Sequence, residues 1–199
     1  MFVAGSDTTA AALEWTMAEL MRNPAAMKKA QEEVRTITGK KSKIEAEDIQ
    51  KMEYIQFVIK ESLRLHPPVP LLVPRETAAD VEIDGYHIPS KTRVFVNAWK
   101  IQRDPEYWLN PNEFIPERFM DNSLVDYKGQ DYEFIPFGSG RRKCPGMPFG
   151  VASFEHALAN LLHWFDWKLP CGCELIVEEE SGLTVRKKIP LLLNPIPYI

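Results

Sequence analysis

The run Phe137-Gly138-Ser139-Gly140-Arg141-Arg142-Lys143-Cys144-Pro145-Gly146 leads directly into a mostly apolar stretch, Phe149 to Trp167. In that stretch Val151, Phe154, Leu158, Leu161, Leu162 and Phe165 are arranged as a helix, and its near-total apolarity predicts burial. Any fold of this chain must therefore cover the helix while leaving a cysteine at its entrance. A cysteine with free helix-start amides and arginines beside it has surroundings that favour thiolate over thiol, and a thiolate is a good iron ligand. Glycines at 138, 140 and 146 let the backbone approach a large flat ligand and aim amides at the sulfur, tuning a bound metal.

Composition narrows the function classes. With 199 residues, 45% hydrophobic and 26% charged, the chain has the make-up of a folded domain. A net charge of -4 argues against nucleic acid as a partner, because phosphate binding needs a basic face. Three cysteines are an odd number, and Cys171 and Cys173 are too close together to frame a domain, so a secreted disulfide scaffold does not fit. No apolar stretch reaches the eighteen residues of a membrane span, and the N-terminus lacks a signal-peptide pattern. Met1-Phe2-Val3-Ala4-Gly5 runs straight into an apolar periodic segment with no capping residue, so we read Met1 as an internal methionine of a longer parent.

Helical spacing of Ala12, Leu13, Met17, Leu20 and Met21 predicts a helix over 8–21, stopped by Asn23-Pro24, and a second one over 25–37. A short helix over 45–52 and a strong one over 54–66, ended by Pro67-Pro68, follow. Val81 to Ile83 and Tyr86 to Ile88 flank Asp84-Gly85, and with Thr92 to Val96 they predict a small antiparallel sheet. The segment 104–140 is rich in proline and aromatic residues, which predicts an ordered irregular stretch packed by rings. Two short strands are expected around Glu180-Ser181-Gly182, and no repeat or internal domain boundary is visible. The fold class is mainly α with a small antiparallel β-sheet.

Phe137, Gly140, Arg142, Cys144 and Gly146 fill the fixed positions of the cysteine loop of the cytochrome P-450 family, which this chain resembles. Further signatures stand in the order the family requires: Glu61-Ser62-Leu63-Arg64, with acid and base at i and i+3, then Phe114-Ile115-Pro116-Glu117-Arg118-Phe119. The resemblance implies that Glu61, Arg64 and Arg118 form a buried structural network and that the chain is the C-terminal, haem-side part of the fold. It also implies haem b with Cys144 as axial thiolate, and cofactor contacts from Arg75, Phe137, Gly138, Arg142 and Gly146. Guanidinium forks suit the haem carboxylates. Ala4-Gly5-Ser6-Asp7-Thr8-Thr9 is similar to the oxygen-binding groove, making Asp7 and Thr8 candidate catalytic residues for proton delivery during O-O cleavage. Taken alone, the same residues would read as a helix-start cap.

By the same resemblance Val3, Ala4, Val69, Leu71, Leu72, Val73 and Leu183 line a pocket for a small apolar organic substrate. The implied reaction inserts one oxygen atom from O2, with electrons from NADPH through a flavoprotein reductase that meets a face carrying Arg141 and Lys143. His66-Pro67-Pro68 and the 182–188 phrase look most like plant members. That implies a parent on the cytosolic face of the endoplasmic reticulum, held by an N-terminal membrane anchor missing here and acting in specialised metabolism. The alternative is a truncated, non-catalytic haem-binding remnant or an incomplete gene model. A zinc site from Cys171, Cys173, His156 and His163 is the weaker metal reading, because Cys-x-Cys lacks the usual zinc spacing.

Overall fold

The computed structural model describes residues 2–121 and 125–198, and the side chains of residues 4–120 and 125–198. The reading of Met1 and the pocket role of the Val3 side chain lie outside what is described. Helix α1 (Phe2–Arg22) already includes the Ala4–Thr9 segment, so the helix-start cap reading of Asp7 and Thr8 does not hold: both sit inside the helix. Asn23 ends α1, and Pro24 opens α2 (Pro24–Thr38) in its first turn, where a missing N–H costs nothing. A short α3 (Ala46–Ile49) is closed by a reciprocal capping box between Glu45 and Asp48.

Helix α4 (Glu53–Leu65) has no side-chain cap of its own at Met52. Glu33 of α2 takes that part, accepting from the amides of Tyr54 (2.8 Å) and Ile55 (3.0 Å). Burial pushes the Glu33 carboxyl above its usual range, while those amides act in the opposite sense. The short α5 (Ala98–Ile101) and α6 (Arg118–Asp121) follow, and α7 (Met147–Trp164) is the apolar helix expected from the sequence.

Helices α1, α2, α4 and α7 pack on one another. Their shared core contains Leu20, Val34, Ile55, Val58, Leu158 and Leu162, all with essentially no exposed surface. One expectation needs correcting: α7 is buried on one face only. Val151, Phe154, Leu158, Ala159 and Leu162 face the core, whereas Ala152 and His156 are exposed and Phe149 is 81% exposed.

The β structure is a set of two-stranded antiparallel pieces rather than one small sheet. Strands β2 (Val81–Ile83) and β3 (Tyr86–Ile88) form the hairpin expected around Asp84-Gly85, both of which adopt positive φ. Strand β4 (Arg93–Val94) does not extend that hairpin but pairs with β1 (Arg75–Glu76). After α7, β5 (Phe165–Lys168) pairs with β8 (Asn194–Pro197), and β6 (Glu179–Glu180) with β7 (Arg186–Lys187) in the tail. The 104–140 segment is indeed packed by rings, with Phe119 lying 5.8 Å from Trp108 and 5.4 Å from Phe134 between centroids.

Candidate functional site

Cys144 is exposed and stands just ahead of Gly146, the N-cap of the eighteen-residue α7. Its loop is held by the backbone. The Cys144 amide donates to Phe137 O (2.9 Å), Lys143 N to Gly140 O (3.1 Å) and Gly138 N to Ile135 O (2.9 Å). Gly138 and Gly140 adopt φ of +72° and +70°, a region that strains any residue with a Cβ. The Cys144 sulfur lies 3.9 Å from where a Cβ on Gly146 would stand, so the thiol folds back toward the positive end of the α7 dipole.

Around this loop the fold gathers several of the residues singled out from sequence. Arg75, exposed on β1, reaches Ser139 O with its Nη2 at 3.4 Å, and a Cβ on Gly138 would meet the same Nη2 at 3.9 Å. Arg141, Arg142 and Lys143 are exposed, and Gly140–Arg142 make a single 3-10 turn. Phe137 packs edge-on to Tyr127 at 5.6 Å; burial and the charges of Asp126 and Glu155 push the Tyr127 phenol up to about 12, so this ring stays neutral. Thr9 Oγ1 comes within 4.0 Å of a Cβ position on Gly150, in the first turn of α7. That crossing puts the helix carrying Asp7 and Thr8 at the same end of α7 as Cys144.

The Thr8 hydroxyl donates to Ala4 O at 2.8 Å, and the Asp7 carboxylate is ion-paired with Arg186 of β7. That arginine was not among the residues singled out from sequence, where it sits in a run of basic residues with nothing to distinguish it. The pocket residues divide. Ala4, Leu71, Val73 and Leu183 are exposed, Val73 by 69% and Leu183 by 70%, and Val69 is half-buried. Leu72 departs from the expectation, because it is buried against Ala98 and Ile135 and its Cδ1 lies beneath Gly138. Its φ of +51° marks a strained turn, closed by Leu72 N donating to Val69 O at 3.1 Å. The tail reaches this turn as well, through Val185 N donating to Pro68 O at 2.9 Å.

Beneath the loop, Glu61 and Arg64 have no exposed side-chain surface and Arg118 only 10%. Arg64 grips Glu61 with two bonds (Nε 2.8 Å, Nη2 2.9 Å), and Arg118 Nε adds a third at 3.0 Å. The remaining donors are also used: Arg64 Nη1 reaches the carbonyls of Gln102 and Pro111, and Arg118 Nη1 that of Leu109. Gln102, fully buried, was missed in the sequence, where a lone glutamine between Ile101 and Arg103 carries no motif. Of the zinc reading, His156 is exposed while His163 is buried edge-on to Trp164, and Cys171 and Cys173 are exposed on the tail; no group of three or more His, Cys, Asp or Glu placed to hold a metal ion occurs among the described residues.

An exposed sulfur donor, glycine backbone around it, a guanidinium against the loop and uncovered apolar side chains nearby suit a flat apolar group bearing carboxylates. The residues present fit haem.

Comparison with known proteins agrees. The family model described as cytochrome P-450 matches residues 1–194. Cytochrome P-450 71A1 of Persea americana is 58% identical over 97% of this chain, which covers 39% of that protein. A phenylacetaldehyde oxime monooxygenase of Prunus mume is 57% identical over 100% of the chain and 38% of its own length. A strychnine-11-hydroxylase of Strychnos nux-vomica is 56% identical over 99% of the chain and 39% of its own length. The chain thus spans about two fifths of the length of these relatives. With the cysteine loop, the buried Glu-Arg-Arg network and this match along nearly its whole length, the chain belongs to the cytochrome P-450 family.

Proposed function

We propose that this chain forms the haem-thiolate side of a monooxygenase that inserts one oxygen atom from O2 into a small apolar organic substrate. The observation that carries the reading is the Cys144 loop: an exposed thiol at the entrance to α7, its own amide tied to Phe137 O at 2.9 Å. When bound there, haem b supplies dioxygen activation, and a thiolate ligand favours O-O cleavage. Cys144 would hold the haem iron through its thiolate sulfur. Arg75 and Arg142 would take the haem carboxylates, guanidinium being matched to carboxylate in shape and charge. Gly138 and Gly146 would keep the backbone clear for close approach, with the Phe137 ring packed behind.

The Thr8 hydroxyl and the Asp7 carboxylate, neighbours on one turn of α1, would hold and hand on protons. The ion pair with Arg186 keeps the Asp7 carboxylate in a defined direction. Ala4, Val69, Leu71, Val73 and Leu183 offer apolar contact, which selects for hydrophobicity and discriminates weakly among similar ligands. The reading of the oxygen-insertion class is supported by the names of two relatives, one a monooxygenase and one a hydroxylase. Two electrons would come indirectly from NADPH, through a flavoprotein reductase meeting the basic face of Arg141 and Lys143. For the whole protein we infer a place on the cytosolic face of the endoplasmic reticulum and a part in plant specialised metabolism.

The test is isotopic. The chain, loaded with haem and supplied with a flavoprotein reductase, NADPH and heavy (oxygen-18) O2, is incubated with a panel of small apolar compounds. Incorporation of a single heavy oxygen atom into product, lost in Cys144→Ala, supports the reading. Haem uptake without any incorporation supports the non-catalytic remnant instead.

A further inference from the structure

The last four carbonyls of α4 have no partners within the helix. The structure supplies one to each: His66 N donates to Ser62 O at 2.7 Å, Gln102 Nε2 to Leu63 O and Arg64 O at 3.0 Å each, and Arg103 Nη2 to Leu65 O. Two residues from the end of α5 thus close the C-terminus of the helix that carries Glu61 and Arg64. Gln102 does more than close it. Its Oε1 accepts from Ile135 N at 3.0 Å, and its own carbonyl accepts from Arg64 Nη1 at 2.9 Å.

Ile135 is where the cysteine loop begins. Its carbonyl accepts from Gly138 N, and Phe137 O, within that turn, accepts from Cys144 N. One buried amide therefore joins the Glu-Arg-Arg floor to the strand of backbone bonds ending at the Cys144 amide. A buried glutamine with both polar atoms used is rigid, since breaking either side strands a desolvated partner.

We propose that Gln102 is a positioning residue for the Cys144 loop, setting the height of the thiol-bearing loop relative to the α4 C-terminus by bonding both at once. The functional importance of that height rests on the haem-thiolate reading; the coupling itself does not. Gln102→Met keeps the length of the side chain and removes all three of its side-chain hydrogen bonds. Val34→Ala, in α2 and away from the loop, serves as a control for general loss of stability.

Amide hydrogen exchange is measured in the 199-residue chain. In Gln102→Met, exchange at Ile135, Gly138 and Cys144 is expected to accelerate about tenfold beyond the change seen in α2, the effect of about one net hydrogen bond. In Val34→Ala those three amides are expected to change no more than the rest. Should Gln102→Met not fold, Gln102→Asn, one methylene short of Ile135, gives the same comparison. A Gln102 variant whose three loop amides change only in step with the others overturns the proposal. This readout needs no haem, so its failure is distinct from failure of the haem reading. In the haem-loaded chain, the carbon-monoxide band of Gln102→Met is expected to move from thiolate-type toward thiol-type.

Discussion

The floor of the cysteine loop and its open face are built on opposite terms. In the floor, Glu61, Arg64 and Gln102 are fully buried and their charged or polar atoms are bonded to one another or to backbone. On the face, Cys144, Phe149, Val73 and Leu183 are exposed. The floor holds a geometry at the expense of desolvating charge; the face leaves apolar surface uncovered, which is unusual unless something else lies on it. The contrast assigns stability to one region and binding to the other.

The largest expected effect breaks the floor. Arg64→Ala leaves the buried Glu61 carboxylate with one arginine partner fewer and strips donors from three backbone carbonyls, and a loss of about 3–5 kcal/mol is expected in chemical denaturation. A loss below about 1 kcal/mol would mean that the network is not the structural centre of this region.

A smaller effect concerns Glu19 of α1. Burial acts to push its carboxyl up, but His66 at 2.9 Å and Arg22 at 3.1 Å outweigh it and hold it below the usual range. A depressed carboxyl contributes stability that is present above its unfolded pKa and lost as the pH falls through the folded one. Wild-type stability should therefore fall on acidification below about pH 4.5, and Glu19→Gln should flatten that limb. At neutral pH the same variant is expected to cost about 1.5–3 kcal/mol. An unchanged acid limb would remove Glu19 from the account.

The smallest effect on stability is on the open face. Phe149→Ser removes an apolar ring that is 81% exposed, so the change is expected to stay within about 0.5 kcal/mol. Haem retention, followed by gel filtration of the loaded chain, should nevertheless weaken. A large stability loss with unchanged retention would reverse the assignment of the two regions.

What could be read from the sequence follows the same division. Local chemistry was legible: Asp84-Gly85 marked the hairpin to the residue, Pro24 marked the start of α2, and the i, i+3 spacing placed Glu61 against Arg64. Partners brought from far along the chain were not. Strand β8 contains Pro195 and Pro197, which argue against a strand, yet it pairs along β5 at an edge where missing amides are tolerated. Gln102 is silent until α4 and Ile135 are brought to it, and Arg186 until the tail lies on α1. The resemblance offers Leu72 with its neighbours as pocket lining, and its packing against Ala98 and Ile135 is visible only once those distant residues are brought to the turn.

The central claim is that Cys144 presents a thiolate for haem from this loop. The most direct measurement is the absorption spectrum of the reduced, carbon-monoxide-bound chain reconstituted with haem, beside Cys144→Ala. We expect a long-wavelength thiolate-type band in the wild type and its disappearance in the variant. A spectrum that is the same with and without the Cys144 sulfur would contradict the account.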